Sequence, residues 1–185
     1  MTVVVHHDIK PGNALVAEGG EALKICDFGL GMSESQQPAR QQAGTELYRA
    51  PEMLIGKPDY GAPADAWSLG CVMAELVGGD MLLRSVDTAL VDMSHCPERS
   101  RLRKLIPEEM LSEEGFEVLN GILACNPDKR LAAAGALKLP WFADAAKSPP
   151  RLAAAGANAS QEVAIANCPE KGIETDDQFI FAANF

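Results

Sequence analysis

Apolar and polar positions fall in short blocks rather than in one sustained rhythm. Met1 to Val5 is a β-branched run of strand length. Ala14-Leu15-Val16-Ala17 and Ala22-Leu23-Lys24-Ile25-Cys26 are two further strand-like segments, with Glu18-Gly19-Gly20-Glu21 between them. Glycine reaches positive φ without strain, so this pair predicts one short β-hairpin. Residues 31–44 (GMSESQQPARQQAG) are polar and without period, and predict a loop. Asp65 to Val77 (DAWSLGCVMAELV) is apolar nearly all round at helical length, the mark of a buried helix. Residues 78–107 are weak in pattern and read as irregular. Ser112-Glu113-Glu114 precedes Phe116, Val118, Leu119, Ile122 and Leu123, an amphipathic helix with an acidic first turn. Leu131 to Phe142 (LAAAGALKLPWF) predicts an Ala-rich helix stopped by Pro140. From Lys147 the composition shifts to Pro149-Pro150, then small residues, then an acidic-aromatic end (DDQFIFAANF). The expected organisation is a mainly α domain over 1–146 and a mobile tail over 147–185.

Composition adds exclusions. The 185 residues are 47% hydrophobic and 23% charged, ordinary globular usage, and a chain of this size can bury roughly 70% of its unfolded surface. The net charge of −10 argues against a nucleic-acid or anionic-membrane binder, which would need a basic field. A locally basic pocket for one phosphate stays compatible with it. Five cysteines occur without C-x-x-C spacing, so neither a disulfide scaffold nor structural zinc is expected, and a reducing compartment fits free cysteines. No run approaches ~18 apolar residues, the length of a membrane-spanning helix.

Five segments carry candidate chemistry. In His6-His7-Asp8-Ile9-Lys10-Pro11-Gly12-Asn13, Pro11 and Gly12 break regular structure, so a loop can aim Asp8, Lys10 and Asn13 at one point. A carboxylate there could orient a hydroxyl, an ammonium could neutralise a phosphate, and an amide oxygen could bind a cation. Taken alone, the segment fits a polar turn with a solvated charge pair equally well. Adjacent His6 and His7 point apart with no third ligand in view, so no metal site is expected on them. Cys26-Asp27-Phe28-Gly29 follows a strand, and a carboxylate so placed can hold Mg²⁺. Gly44-Thr45-Glu46-Leu47-Tyr48-Arg49-Ala50-Pro51-Glu52, then Asp65-Ala66-Trp67-Ser68-Leu69-Gly70, then Asn126-Pro127-Asp128-Lys129-Arg130-Leu131 complete the set.

In this order the five segments resemble the C-terminal lobe of a eukaryotic protein kinase, over residues 3–143. Tyr48-Arg49-Ala50-Pro51-Glu52 and Gly70-Cys71-Val72-Met73-Ala74-Glu75-Leu76 carry a finer similarity to cyclin-dependent-kinase-like serine/threonine kinases of the plant type. The resemblance implies a kinase lobe with one short hairpin, use of ATP and Mg²⁺, a protein substrate and a cyclin-like or other regulatory subunit. Neither nucleic acid nor membrane is implied, and the location is cytoplasmic or nuclear. It implies that Asp8 accepts or orients the substrate hydroxyl proton, and that Lys10 touches the transferring phosphoryl group. It makes Asn13 and Asp27 the Mg²⁺ ligands and sets Leu15 beneath the adenine ring. Thr45 would bond Asp8 and Lys10. Arg49 would bias substrates toward proline after the phosphoacceptor. Glu52 and Arg130 would form a buried ion pair, and Asp65 would hold the backbone of the His6–Asp8 loop.

The sequence also departs from the family's pattern. It contains no glycine-rich phosphate loop and no V-A-I-K-type lysine, so the expectation is a chain truncated at its N-terminus, starting inside the catalytic loop of the second lobe and lacking the first. Such a half cleft is expected to hold nucleotide more weakly than roughly 100 μM, about −5.5 kcal/mol. The 65–77 helix is expected to lose a packing partner and to expose an apolar face. His7 stands where most of these kinases carry an arginine that pairs with an activation-loop phosphate. The position five before Thr45 is Arg40, so donor and acceptor are both missing, and phosphorylation there is not expected to regulate the chain. The connection over 78–107 is shorter than the family's, which puts partner docking there in question. The alternative reading is a non-catalytic kinase-lobe protein that acts as an interaction module, or an incomplete gene product.

Overall fold

The computed structural model describes residues 4–16, 23–33, 43–58, 60–79 and 99–145. In chain order the elements are β1 (Val4–Val5), β2 (Ala14–Val16), β3 (Leu23–Ile25), β4 (Met32–Ser33), α1 (Pro51–Leu54), α2 (Ala62–Gly78), α3 (Arg99–Leu105), α4 (Glu113–Ile122), α5 (Ala133–Ala136) and α6 (Pro140–Ala145). The architecture is mainly helical with short sheets. The 147–185 tail, the Glu18–Glu21 turn and Arg40 lie outside the described residues.

Packing centres on α2. Pro63 stands in its first turn, where a missing N–H costs nothing, and Gly79 closes it in the left-handed region at φ 72°. Ala64, Trp67, Ser68, Gly70, Cys71, Val72, Met73 and Ala74 are buried along its length. Gly70 is required by close approach. A Cβ there would lie 2.8 Å from Ile122 Cγ2 and 2.9 Å from Leu123 Cδ2. Bare backbone thus lets α4 settle onto α2. The α4 helix starts where its acidic turn predicts, with the Ser112 hydroxyl accepting from the Gly115 N–H at 3.3 Å, and it buries Phe116, Val118, Leu119 and Ile122.

Four local expectations are corrected. The stretch 78–107 contains a helix, α3. Its sequence RSRLRKL leaves only Leu102 and the following Ile106 to reach the core, too few apolar positions to show a period. The Ala-rich segment 131–142 is two short helices, because Pro140 opens α6 rather than ending a longer one. The β2–β3 hairpin pairs Ala14 with Ile25 and Val16 with Leu23, but it is not alone. β1 and β4 form a second antiparallel ladder, Val4 with Ser33 and Val5 with Met32, so Met32 and Ser33 belong to a strand and not to the 31–44 loop. Two-residue strands carry no alternation, and burial of Val5 (1% exposed) selects the pairing. Finally, Cys26 and Cys71 are in no disulfide while Cys125 is disulfide-bonded, against the expectation that no cysteine forms a bridge. An odd cysteine count excludes complete pairing, not a single bridge. None of the described helices is long and apolar enough to cross a membrane.

Candidate active site

Asp8 is held by its surroundings before it can act on anything. The two residues ahead of it are buried, and their backbone N–H groups both donate to one carboxylate: His6 N to Asp65 Oδ2 at 2.6 Å and His7 N to Asp65 Oδ1 at 2.8 Å. Asp65 thereby moors the turn to the first turn of α2. Burial lifts the Asp65 carboxyl above its ordinary range, against the opposing pull of those two N–H groups and of the nearby imidazoles. His7 takes a left-handed φ of 67°. Lys10 is extended, and Pro11 opens a 3-10 turn over Pro11–Asn13 that swings Asn13 back toward Asp8.

The Asp8 carboxylate meets four donors. Oδ1 accepts from Thr45 N at 2.8 Å and Thr45 Oγ1 at 2.7 Å. Oδ2 accepts from Lys10 Nζ at 2.8 Å and Asn13 Nδ2 at 3.2 Å. Lys10 also donates to Thr45 Oγ1 at 2.9 Å. Burial raises the Asp8 pKa, but the hydrogen bonds from Lys10 and Thr45 and the Lys10 charge outweigh it and hold the carboxyl below its ordinary value. An ionised carboxylate with about four acceptor sites in use is a weak base but a well-fixed one.

Asn13 joins this cluster to Asp27. Its side-chain amide donates to Asp8 O at 2.9 Å as well as to Oδ2, which leaves Oδ1 as its open acceptor. Its carbonyl accepts from Cys26 N at 2.9 Å, at the end of the β2–β3 ladder. Asp27 comes next, at φ 64°, with its carboxylate exposed and accepting from Gly29 N at 3.3 Å. His6 closes the ring from behind: Nε2 lies 2.9 Å from Cys26 O, and its ring meets Phe28 edge-on at 4.6 Å. Leu15 stands opposite Lys24 in β2 and is 41% exposed. Asp8, Lys10, Asn13 and Thr45 are thus in mutual contact. Asp27 is linked to them through Asn13, and Leu15 lies two residues beyond Asn13 along the strand. Among the described residues no group of three or more His, Cys, Asp or Glu side chains could hold a metal. The donor set of Asn13 Oδ1 and the Asp27 carboxylate fits Mg²⁺, which takes hard oxygens and keeps water and phosphate for the rest.

On the other side of Thr45, Gly44 is at φ 78°. Its carbonyl accepts from Arg49 Nε at 3.1 Å and Nη2 at 2.7 Å. Arg130 and Glu52 form a two-pronged pair, Nη1 to Oε1 at 2.7 Å and Nη2 to Oε2 at 2.8 Å. Two contributors escaped the sequence reading. Ser68 Oγ donates to Tyr48 O at 2.6 Å, and Tyr60 packs edge-on to His7 at 5.3 Å. Ser68 lies inside the Asp65–Gly70 segment, where a polar group on a buried helix is itself a signal. Nothing in the pattern around Tyr60 marks it.

A sequence profile of the protein kinase domain matches residues 1–142. This chain belongs to the protein kinase family. Among its curated relatives, cyclin-dependent kinase F-2 of Oryza sativa subsp. japonica is 40% identical over 176 residues, covering 79% of this chain and 53% of the relative. Cyclin-dependent kinase G1 of Arabidopsis thaliana is 34% identical over 75% of this chain and 28% of its own length. Serine/threonine-protein kinase ppk23 of Schizosaccharomyces pombe is 32% identical over 75% and 42%. The kinase chain is thus similar to cyclin-dependent kinases, and it spans about half the length of the first of these relatives and less of the others.

Proposed function

We propose that the chain is the C-terminal lobe of a cyclin-dependent-kinase-like serine/threonine kinase. Its residues would serve transfer of the ATP γ-phosphoryl to a protein hydroxyl, in the cytoplasm or nucleus and with a cyclin-like or other regulatory subunit. The observation that carries this reading is the fourfold-bonded Asp8 carboxylate, joined through Asn13 to the Asp27 turn. Held ionised and weakly basic, Asp8 would orient the Ser or Thr hydroxyl and take its proton late, as the hydroxyl oxygen bonds to phosphorus and the bond to ADP breaks. Lys10 would carry positive charge to the transferring phosphoryl oxygens, and Thr45 would fix both. Asn13 Oδ1 and Asp27 are the groups that would hold Mg²⁺, which when bound neutralises phosphate charge. Leu15 would lie under the adenine.

Two finer points extend the reading. Because Arg49 occupies the Gly44 carbonyl, a substrate residue following the phosphoacceptor finds no acceptor there for its N–H. Proline, which has no N–H, loses nothing, and this supports a Ser-Pro or Thr-Pro preference. His7 and Arg40 support control without a phosphate at the position five before Thr45. A second reading, a binding module without transfer, is favoured by one observation: Leu15 and Phe28, beside the Asn13–Asp27 pair, are 41% and 50% exposed.

The test is phosphoryl transfer from labelled ATP with Mg²⁺ to a Ser-Pro peptide by the 185-residue chain. The first reading expects transfer that falls by roughly 10²–10⁴ in Asp8→Asn and drops when alanine replaces the proline. Absence of transfer decides for the second, and ATP affinity tighter than roughly 100 μM would overturn the half-cleft expectation.

A further inference from the structure

His7 meets α2, the stretch past the Asp27 turn and the chain ahead of Thr45, yet is not among the groups assigned a chemical role. His7 is 5% exposed and held in the left-handed region. Its N–H is bonded to Asp65 in α2. Its ring Nδ1 lies 3.1 Å from Leu30 O, just past the Asp27 turn. Its ring meets Tyr60 edge-on at 84°. A Cβ on Gly44 would sit 2.2 Å from the His7 carbonyl oxygen, so the strand of chain leading into Thr45 lies directly against the His7 backbone. The remaining ring nitrogen, Nε2, is buried and has no hydrogen-bond partner among the described residues.

The geometry points to His7 as a positioning residue that couples the Asp27 turn to the Thr45 loop through an Nδ1–H bond to the Leu30 carbonyl. A carbonyl oxygen can only accept, so Nδ1 must carry a proton. Nε2, facing no acceptor, is the nitrogen that can do without one. The ring stays in this orientation because turning it over would leave the Leu30 carbonyl facing carbon and bury the N–H unpaired, at the full desolvation cost of both groups. The same residue presses its carbonyl on Gly44 and its ring on Tyr60, so the Leu30 bond and the Thr45 approach are made by one rigid unit. Only the bearing of this coupling on phosphoryl transfer rests on the function proposed above. The contacts themselves do not.

Two measurements on the 185-residue chain test it, and neither needs catalysis. Long-range ¹H–¹⁵N correlation of the imidazoles is expected to show His7 protonated at Nδ1, and a bare Nδ1 would overturn the proposal. Hydrogen exchange read on peptides spanning residues 28–33 and 43–48 is expected to quicken in both together in His7→Leu. The expected factor is about fivefold, the worth of one ordinary hydrogen bond, with α4 unchanged. His7→Asn is expected to restore protection in both, since the asparagine amide N–H reaches the former Nδ1 position and asparagine tolerates left-handed backbone. Quickening in one segment alone, or equal quickening in α4 with Asn no better than Leu, would refute the coupling. If transfer assays fail while exchange behaves as stated, the function falls and the coupling stands. The reverse result separates them the other way.

Discussion

Replacing Glu52 by leucine leaves a guanidinium stranded. The Arg130 side chain is 0% exposed and that of Glu52 2%, so water cannot reach the charge that remains. Arg130 donates not only to both Glu52 oxygens but also to Ala124 O at 2.8 Å, Pro63 O at 2.6 Å and Cys125 O at 3.2 Å. Its head is clamped from several sides and cannot swing out. Its carbon also lies 5.2 Å from the centre of the Trp67 ring. Breaking such a pair from one side costs about 3–5 kcal/mol, a large share of the roughly 5–15 kcal/mol that holds a domain folded. Arg130→Met should cost a similar amount, through the unpaired Glu52 carboxylate. The double variant Glu52→Leu, Arg130→Met should recover much of either loss, since no buried charge is left alone. Urea unfolding followed by tryptophan fluorescence and far-UV circular dichroism reads all four proteins. If the two single losses simply add in the double variant, or each is below about 1 kcal/mol, the pair is not the buried unit described here.

Further expectations are smaller in scale. Lys10→Ala should raise the Asp8 pKa, because the Lys10 bond and charge are part, with the Thr45 bonds, of what outweighs burial. The wild-type carboxyl sits below 3.8, so its contribution to stability is full above that value and is lost as pH falls through the folded-state pKa. In the variant the carboxyl should titrate at higher pH and its contribution to stability should shrink, as followed by ¹³C carboxyl shifts and by urea unfolding against pH. Gly70→Ala should destabilise by about 1–3 kcal/mol, since its methyl would meet Ile122 and Leu123 under 3 Å; a neutral result in urea would mean α4 can step back freely. Ser112→Ala should cost about 1 kcal/mol through the lost cap on Gly115, read as a shift in midpoint with unchanged slope.

Local chemistry was legible where a residue type leaves few options. A carboxylate ahead of Pro-Gly-Asn must lie in a turn, an acidic first turn after Ser112 starts a helix, and the apolar run from Asp65 to Val77 is buried as far as Ala74, with Leu76 left 68% exposed. The contacts of Asp8, Lys10 and Thr45 are what the kinase resemblance implies, although 35 residues separate the lysine and the threonine. What stayed hidden depends on long-range fit. The β1–β4 ladder joins residues some 28 apart through two pairs, with no side-chain rhythm to announce it. The α3 helix disappears under its own charges. Pro140 reads alike as a stop and as a start, and only the burial of Ala136 and the packing of Trp141 decide. The role of His7 comes from Leu30, Gly44 and Tyr60 converging on it, which no spacing encodes.

Phe116 is wholly buried, yet its ring is overlaid by the guanidinium carbons of Arg103 at 4.2 Å and Arg99 at 5.2 Å. Those arginines also grip Glu113, and Arg99 reaches Glu117 at 2.6 Å. A helix of seven residues is too short to stand by itself, so α3 is held by Leu102 and the following Ile106 in the core and fastened to α4 by an electrostatic clip over one aromatic plate. Half-exposed charges of this kind weaken as ionic strength rises and the Debye length shrinks toward 3 Å. Concentrated salt should therefore loosen this outer edge well before it reaches the α2–α4 centre, so that the molecule comes apart from its rim inward.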